Sequence, residues 1–397
     1  MAAGVEKDTR TLRVAVIGVG QRAAIAHHIG ATGTPAALVA AVDTTEAGRV
    51  RAVAAFGPTV QVLPSVADAL AAVRLDAAVV TTPDDTHAAI AMPLLEAGVA
   101  VYLEKPMAIT VEDCDLLLET AARTGTPLYV GHNMRHMSVV RQMKVLIDAG
   151  EIGEVKSIWC RHFVGNGGDY YFKDWHAERA HVHSLLLQKA SHDLDVIHWL
   201  AGRATRRVTA LGALTVYGDH GSRRGADHAA DENRLMADGF SYENWPPETQ
   251  TELNPVIDVE DVSMMLMDLG DGVTASYEQC HFTPDYWRNY TVIGTRGRLE
   301  NFGDTPGGVI RIWNRRRAWS LEGDLEVPIE GEGEGHEQAD ALTMGEFLRH
   351  VATGAPTTVT AVAARDAVAA GALAALSLRD GGTPRDIPPL PPGVRRP

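Results

Sequence analysis

One stretch constrains this chain more than any other: an apolar run that breaks at two glycines and resumes as a helix-forming segment. Residues Leu12–Ala23 read LRVAVIGVGQRA. Strand, tight turn and helix in that order are the context a G-x-G-x-x-G/A turn requires, with Ala23 in the third small position. Gly18 permits the turn, Gly20 lets the backbone approach a diphosphate, and Ala23 lets helix and strand pack closely. The helix start leaves N–H donors for the anion, so Gln21 and Arg22 join the expected contacts. Asp43 ends the next apolar run, Ala37–Val42, 25 positions after Gly18. The acid that binds a ribose 2′-OH is expected about 20 positions on. The pattern predicts a dinucleotide site, and NAD rather than NADP, because a carboxylate repels a 2′-phosphate.

The following segments repeat the alternation. Val14–Ile17, Leu38–Val42, Ala77–Thr81, Val99–Leu103 and Leu128–Val130 read as buried parallel strands. Helical stretches fall between them at Gln21–Ile29, Glu46–Phe56, Ser65–Ala72, Ala88–Ala97 and Val111–Thr124. This predicts a doubly wound Rossmann sheet over residues 1–131, with its ligand beyond the carboxyl ends of the strands. Those ends are Gly18, Asp43, Thr81-Thr82-Pro83 and Leu103-Glu104-Lys105-Pro106.

The second half has another rhythm. A helix over Val139–Ala149 leads to a strand near Val155–Phe163, a glycine- and aromatic-rich stretch, and a helical segment over His183–Leu200. Strands follow at Arg207–Tyr217, Val259–Asp268, Val273–His281, Asn289–Gly294, Leu299–Phe302 and Val309–Trp313. The class is therefore α/β, with an α+β domain over residues 132–380 built on a large, open, mostly antiparallel sheet. Residues Gly218–Pro255 read as a surface insertion or lid. Helices are expected at His336–His350 and Ala361–Leu378, packing back on the first domain, and 381–397 as an extended proline-rich tail.

Composition narrows the function classes. A chain of 397 residues predicts two domains, and 45% hydrophobic with 22% charged residues is ordinary for a globular protein. The formal charge of −15 argues against a nucleic-acid partner. No long apolar run predicts a membrane span, and the opening MAAGVEKDTRT lacks a signal-peptide core, so a cytoplasmic protein is expected. Cys114, Cys160 and Cys280 have no zinc spacing and read as free thiols. His176, His181, His183 and His192 are close in sequence, but spacing alone does not make a metal site, and none is expected.

Several segments resemble the Gfo/Idh/MocA family, named for glucose-fructose oxidoreductase and inositol dehydrogenase. They are VAVIGVGQRA, TTPDDTHAAI, LEKPMAIT and VGHNMRH, then GEIGEV, SHDLDVIHWLAG and YTVIGTRGRLEN. The E-K-P after the fifth strand is the most specific. The resemblance spans about Leu12 to Leu378. It implies NAD(P)-linked oxidation or reduction of sugars, polyols and their derivatives. It also implies cofactor contacts from Thr82, Pro83, His87, Glu104 and Lys105, and a dimer or tetramer joined through the C-terminal sheet.

The resemblance makes Lys105 and His192 the catalytic pair. An ammonium beside a hydroxyl stabilises a developing alkoxide, and an imidazole can exchange the proton near neutral pH. Asp195, one helical turn beyond His192, matches the family's second acid and is expected at the substrate. There is one departure: Gln188 stands where family dehydrogenases often carry Asp, and Lys189 follows it. Gln cannot act as a base, while Lys189 favours an anionic or very polar substrate. Tyr170, Tyr171, Trp175, His176, Arg179, Trp287, Arg288 and Asn289 are the further candidates for a carbohydrate pocket. The altered His motif also keeps open an NAD-dependent glycoside hydrolase working by transient oxidation, elimination, water addition and re-reduction. A nucleotide-sensing binding protein is the non-enzymatic alternative.

Overall fold

Period-two alternation in the first apolar run sets the layering. In β1 (Leu12–Ile17), Leu12, Val14 and Val16 face one side and Ala15 and Ile17 the other, all buried. The computed structural model describes residues 10–219, 221, 241–331 and 336–396. It places β1 in a six-stranded sheet with β2 (Ala36–Val42), β3 (Gln61–Leu63), β4 (Ala77–Val80), β5 (Ala100–Leu103) and β6 (Leu128–Val130). The order is β3-β2-β1-β4-β5-β6 and every pair is parallel. This is the doubly wound arrangement, with its switch point between β1 and β4.

Capping residues start the crossover helices. Thr45, Ser65 and Thr110 accept first-turn amides of α1 (Glu46–Phe56), α2 (Val66–Ala72) and α4 (Val111–Thr124), while α3 (His87–Glu96) lies between the last two. Two details differ from the sequence expectation. Residues Gln21–Ala31 form a 3-10 helix, not an α-helix. Its buried Ala23, Ala26 and Ile29 recur every third residue, the period of a three-residue turn. Strand β3 went unread because it is no buried apolar run: Gln61 is exposed, and Val62 and Leu63 are only partly buried.

Among the described residues the second sheet has nine strands: β7 (Val155–Phe163), β8 (Arg207–Ala213), β9 (Val262–Gly270), β10 (Val273–Cys280), β11 (Trp287–Gly294), β12 (Arg298–Phe302), β13 (Val309–Trp313), β14 (Leu325–Pro328) and β15 (Arg385–Asp386). Their order is β14-β13-β12-β11-β7-β10-β9-β8-β15, antiparallel except between β7 and β10. Strand β8 stops at Ala213, not Tyr217, because the Asp261 carboxylate accepts the amides of Thr215, Val216 and Tyr217 and turns the chain. For the same reason β9 begins after Asp261.

The remaining helices are α5 (Ser138–Asp148), α6 (Gly167–Tyr171), α7 (Arg179–Val182), α8 (Leu185–Gln188), α9 (Ser191–Ala201), α10 (His336–Thr353) and α11 (Ala361–Arg379). The segment expected as one helix over His183–Leu200 is therefore broken. His183 has φ +63° and Ser184 caps α8 by accepting the Leu187 amide, so the chain turns before the helix that carries His192.

One face of the second sheet packs on α5, α9 and α11, through Ile197, Ala370, Tyr277, Tyr290 and Val292 among others. Helix α11 is long and apolar enough to cross a membrane by length and composition, but 72% of that window is buried between the two domains. The tail is more than a margin. β15 extends the sheet beside β8, and Arg365 donates to the Pro388 and Pro389 carbonyls. Most of the expected lid over Gly218–Pro255 lies outside the described residues. Its described end packs on the 164–185 segment, with Asn254 donating its amide N–H to Phe172 O and its side-chain amide to the Glu178 carboxylate.

Candidate active site

Apolar strands that end in polar residues bring the site together. β1 runs into Gly18 at φ +86°, where an added Cβ would lie 2.6 Å from Thr82 Cγ2. At Gly20 an added Cβ meets nothing within 4 Å. One glycine is thus required by the fold, and the other leaves open space at the start of the 3-10 helix, the shape a diphosphate needs. At the end of β2, Asp43 accepts the Val19 amide at 2.8 Å and the Thr45 amide at 2.9 Å. A side chain at Gly48 would put its Cβ 2.0 Å from the Asp43 carboxyl carbon. The acid is therefore locked beside the turn, and these residues fit a dinucleotide.

The loops after β4 and β5 are tied together. The two His87 nitrogens lie 2.8 Å from Pro106 O and 3.0 Å from Thr82 O. Glu104 accepts the Lys105 amide at 3.2 Å and the Arg22 guanidinium at 2.6 Å, and Arg22 also donates to Asp340 at 2.9 Å. Arg22 and Glu104 thus hold each other and α10 at the site's wall. Gln21 is exposed beside the turn.

The second domain closes over this edge. Lys105 Nζ donates to the Gln188 carbonyl at 3.0 Å, at the end of α8. His192 is buried in the first turn of α9, edge-on to His132 with ring centroids 6.2 Å apart. His132, just past β6, has no hydrogen-bond partner on either ring nitrogen among the described residues. Burial holds its pKa down at about 4, so it is neutral. Buried Gln188 Oε1 and Asp84 Oδ2 are also without partners among the described residues. Burial pushes the Asp84 carboxyl up to about 7, against the opposing pull of Lys105 and His176. Burial lowers the Lys105 pKa in turn, partly offset by Asp84 and Glu104.

Behind Lys105 the second sheet supplies a buried polar cluster. His162 Nδ1 lies 2.9 Å from Asp193, and Arg288 Nε 3.1 Å from the same carboxylate, with the hydroxyls of Tyr277 and Tyr290 also donating to it. Burial disfavours the Asp193 charge, yet Arg288 and His162 hold its carboxyl well below the usual range. Lys189 completes the group, with Nζ 5.6 Å over the Tyr171 ring.

Other sequence candidates are placed elsewhere. Asp195 is fully buried in a two-pronged pair with Arg135, at 2.7 and 2.6 Å, and faces that guanidinium rather than the cleft. Trp287 and Asn289 lie on the opposite face of β11 from Arg288, and Asn289 donates to Asn301 O at 2.6 Å. Arg179 is tied to Glu260 at 3.0 Å. Trp175 stacks on His176 at 3.7 Å, and His176 bonds Asp174. Tyr170 sits at the cleft's partly exposed edge. His181 pairs with Asp85 and His183 with Ala372 O, so these histidines diverge.

Asp84 and His132 were missed, though each carried a signal, whereas Arg288 was among the pocket candidates. The structure puts Arg288 on the same side of β11 as Tyr290 and Val292, the core-facing set. Asp84 and His132 follow the ends of β4 and β6 directly, where this fold places ligand contacts.

The chain matches two family models. Residues 12–132 match an oxidoreductase family with an NAD-binding Rossmann fold, and residues 140–300 match the GFO/IDH/MocA C-terminal domain. The Bacillus subtilis (strain 168) protein YteT, described as an oxidoreductase, is 27% identical over 256 residues, 57% of this chain and 60% of YteT. Inositol 2-dehydrogenase 1 of Saccharopolyspora erythraea is 32% identical over 228 residues, 57% of this chain and 63% of that protein. The chain thus matches somewhat under two thirds of these relatives' length. The fold is shared with the WlbA dehydrogenase of Bordetella pertussis, solved with NADH and UDP-GlcNAcA. Its TM-score is 0.70 at 20% identity, covering 96% of this chain and 99% of that one.

Proposed function

The chain belongs to the Gfo/Idh/MocA oxidoreductase family, and from that premise we propose that it is an NAD-dependent dehydrogenase acting on a secondary hydroxyl of a sugar or cyclitol. One observation carries the reading. Lys105 reaches the turn that leads into His192, beside a glycine turn shaped for a dinucleotide. A bound nicotinamide supplies the hydride acceptor or donor. Gly18, Gly20, Ala23, Asp43 and the Thr82-Pro83 loop hold the cofactor. The Lys105 ammonium stabilises negative charge on the reacting oxygen. His192 takes the hydroxyl proton in oxidation and returns it in reduction. Gln188 Oε1 and Asp84 accept hydrogen bonds from neighbouring hydroxyls, which satisfies their bare oxygens. The relative named as an inositol dehydrogenase supports this substrate class, and the neighbour's NADH complex supports the cofactor.

Turnover of sugars, cyclitols and aryl glycosides tests the reading, with NADH absorbance and product release both followed. Net NADH with a keto product is expected. Aglycone release without net NADH would assign the redox-neutral hydrolase instead.

Cofactor choice follows from Asp43. Arg49 donates to the Asp43 and Thr44 carbonyls at 3.0 and 2.8 Å, leaving the carboxylate to face the ribose. NAD(H) is expected to bind more tightly than NADP(H) by on the order of tenfold or more. Tighter NADP(H) in a calorimetric titration would refute the role of Asp43.

The open face of the second sheet carries the assembly. Trp159, Met264, Leu266 and Leu211 are 53%, 56%, 61% and 65% exposed. Ladder pairing through Ser276 and Thr209 sets them side by side, and a groove of about 1140 Å³ runs over Trp159 and Leu266. A patch of this kind is ordinarily buried against a symmetry mate. Light scattering is expected to give a dimer or tetramer; the mass of a single chain at micromolar concentration would exclude it.

A further inference from the structure

The cleft holds more positive charge than the dehydrogenase chemistry uses. Lys105 has a role in that chemistry, but Lys189 and Arg288 do not. Arg288 is 2% exposed. Its Nε faces Asp193 at 3.1 Å and its Nη2 faces His162 Nε2 at 3.4 Å. Its Nη1 has no hydrogen-bond partner among the described residues, and the Asp304 carboxylate is 3.8 Å away. A buried guanidinium with an unused donor calls for an acceptor.

Lys189 stands next to it on the α8–α9 turn. Its ammonium faces the Tyr171 ring, and the charged groups that act on it are Arg288, Lys105, Asp193 and Asp304. Asp193 is already committed to Arg288, His162 and two tyrosine hydroxyls. Two cations thus flank one face of the cleft while bare acceptors, Gln188 Oε1 and Asp84 Oδ2, lie on the side of Lys105. Donors on one side and acceptors on the other suit a molecule with hydroxyls at one end and an anion at the other.

We infer that Lys189 and Arg288 form an anion subsite, and that the substrate is a sugar acid whose carboxylate occupies it. This rests on the reading of the chain as a sugar dehydrogenase. A carboxylate lies flat against a guanidinium edge and takes a second bond from an ammonium. A neutral polyol would leave the Arg288 Nη1 donor without an acceptor and the Lys189 ammonium facing the Tyr171 ring without a bound counter-charge, which is costly in a half-dry cleft. Burial beside Arg288 and Lys105 pulls the Lys189 pKa down to about 7. Nearby His162 and His281 stay neutral, both held at about 3 by burial first. A bound anion would therefore draw a proton onto Lys189, and affinity for acids should fall as pH rises above about 7.

The test is calorimetric binding to the NADH-loaded protein, with NAD turnover measured beside it. The probes are D-glucuronate, D-galacturonate and D-gluconate against D-glucose, D-galactose and D-glucitol, with glucose 6-phosphate as a further arm. At least one acid is expected to bind on the order of tenfold or more tightly than its neutral partner. Lys189→Met should abolish that margin without changing affinity for the neutral sugar, and Lys189→Arg should keep it. Equal or tighter binding of the neutral partners, no binding of any acid, an equal loss for both classes in Lys189→Met, or preference for the phosphate would each overturn the inference. Lys189-dependent binding of an acid without NADH production would leave the subsite standing and remove the dehydrogenase reading. Oxidation of neutral sugars with no acid bound would do the reverse.

Discussion

Lys105→Ala and His192→Ala are each expected to lower turnover by on the order of 100-fold or more, the usual loss of a positioned acid–base group, while NAD still binds. The two side chains come from different domains, one from the end of β5 and one from the first turn of α9. The Lys105 bond to Gln188 O at 3.0 Å ties the end of β5 to the turn that leads into α9. Neither side chain touches Gly18, Gly20 or Asp43 in the hydrogen bonds described, so cofactor affinity should change little. Steady-state rates at saturating substrate, paired with NAD titrations, check this. A near-native rate in either variant would remove that residue from the chemistry.

The second large effect concerns stability. Asp193→Ala is expected to cost roughly 3–5 kcal/mol, because it strands the buried Arg288 guanidinium without its closest counter-charge. Asp193 is wholly buried and is the one carboxylate within 3.1 Å of that guanidinium among the described residues. Adding Arg288→Met should recover part of the loss, since removing both charges costs less than breaking the pair. Urea denaturation midpoints of the two variants decide it; a loss under about 1 kcal/mol for Asp193→Ala would show that the pair is not holding the domain. The pH sign follows from a depressed carboxyl. The stabilisation is complete above the unfolded value of about 3.9 and is lost only as pH falls through the lower folded value.

What could be read without coordinates was whatever lies at the end of an apolar strand. Gly18, Asp43, Thr82 and Lys105 each follow a buried run, and position along the chain there translates directly into position in the sheet. Arg288 could not be placed so easily. Strand β11 is buried on both faces over much of its length, so hydropathy does not say which of the neighbours Trp287, Arg288 and Asn289 has the parity that faces the site. Asp195 misled for a related reason. Helical spacing puts it near His192, but its partner Arg135 is 60 residues away, and no local pattern announces a long-range ion pair. The break before α9 was hidden because Ser184 reads as an ordinary helix residue until its side chain is seen capping Leu187.

The placement of the last two helices bears on how the chain is made. Met344, Phe347 and Leu348 of α10 complete the core on the Val14 side of the first sheet, and Val362, Val368 and Ala372 of α11 complete it on the Ala15 side. The ribosome delivers the strands of that sheet first and their final cover last. During synthesis the nucleotide-binding half is therefore a sandwich with both outer slices unfinished. It has to wait, with apolar surface bare, while the whole second domain is translated. Order of manufacture and order of completion run opposite to each other, and the amino-terminal half is the last part of the molecule to be sealed.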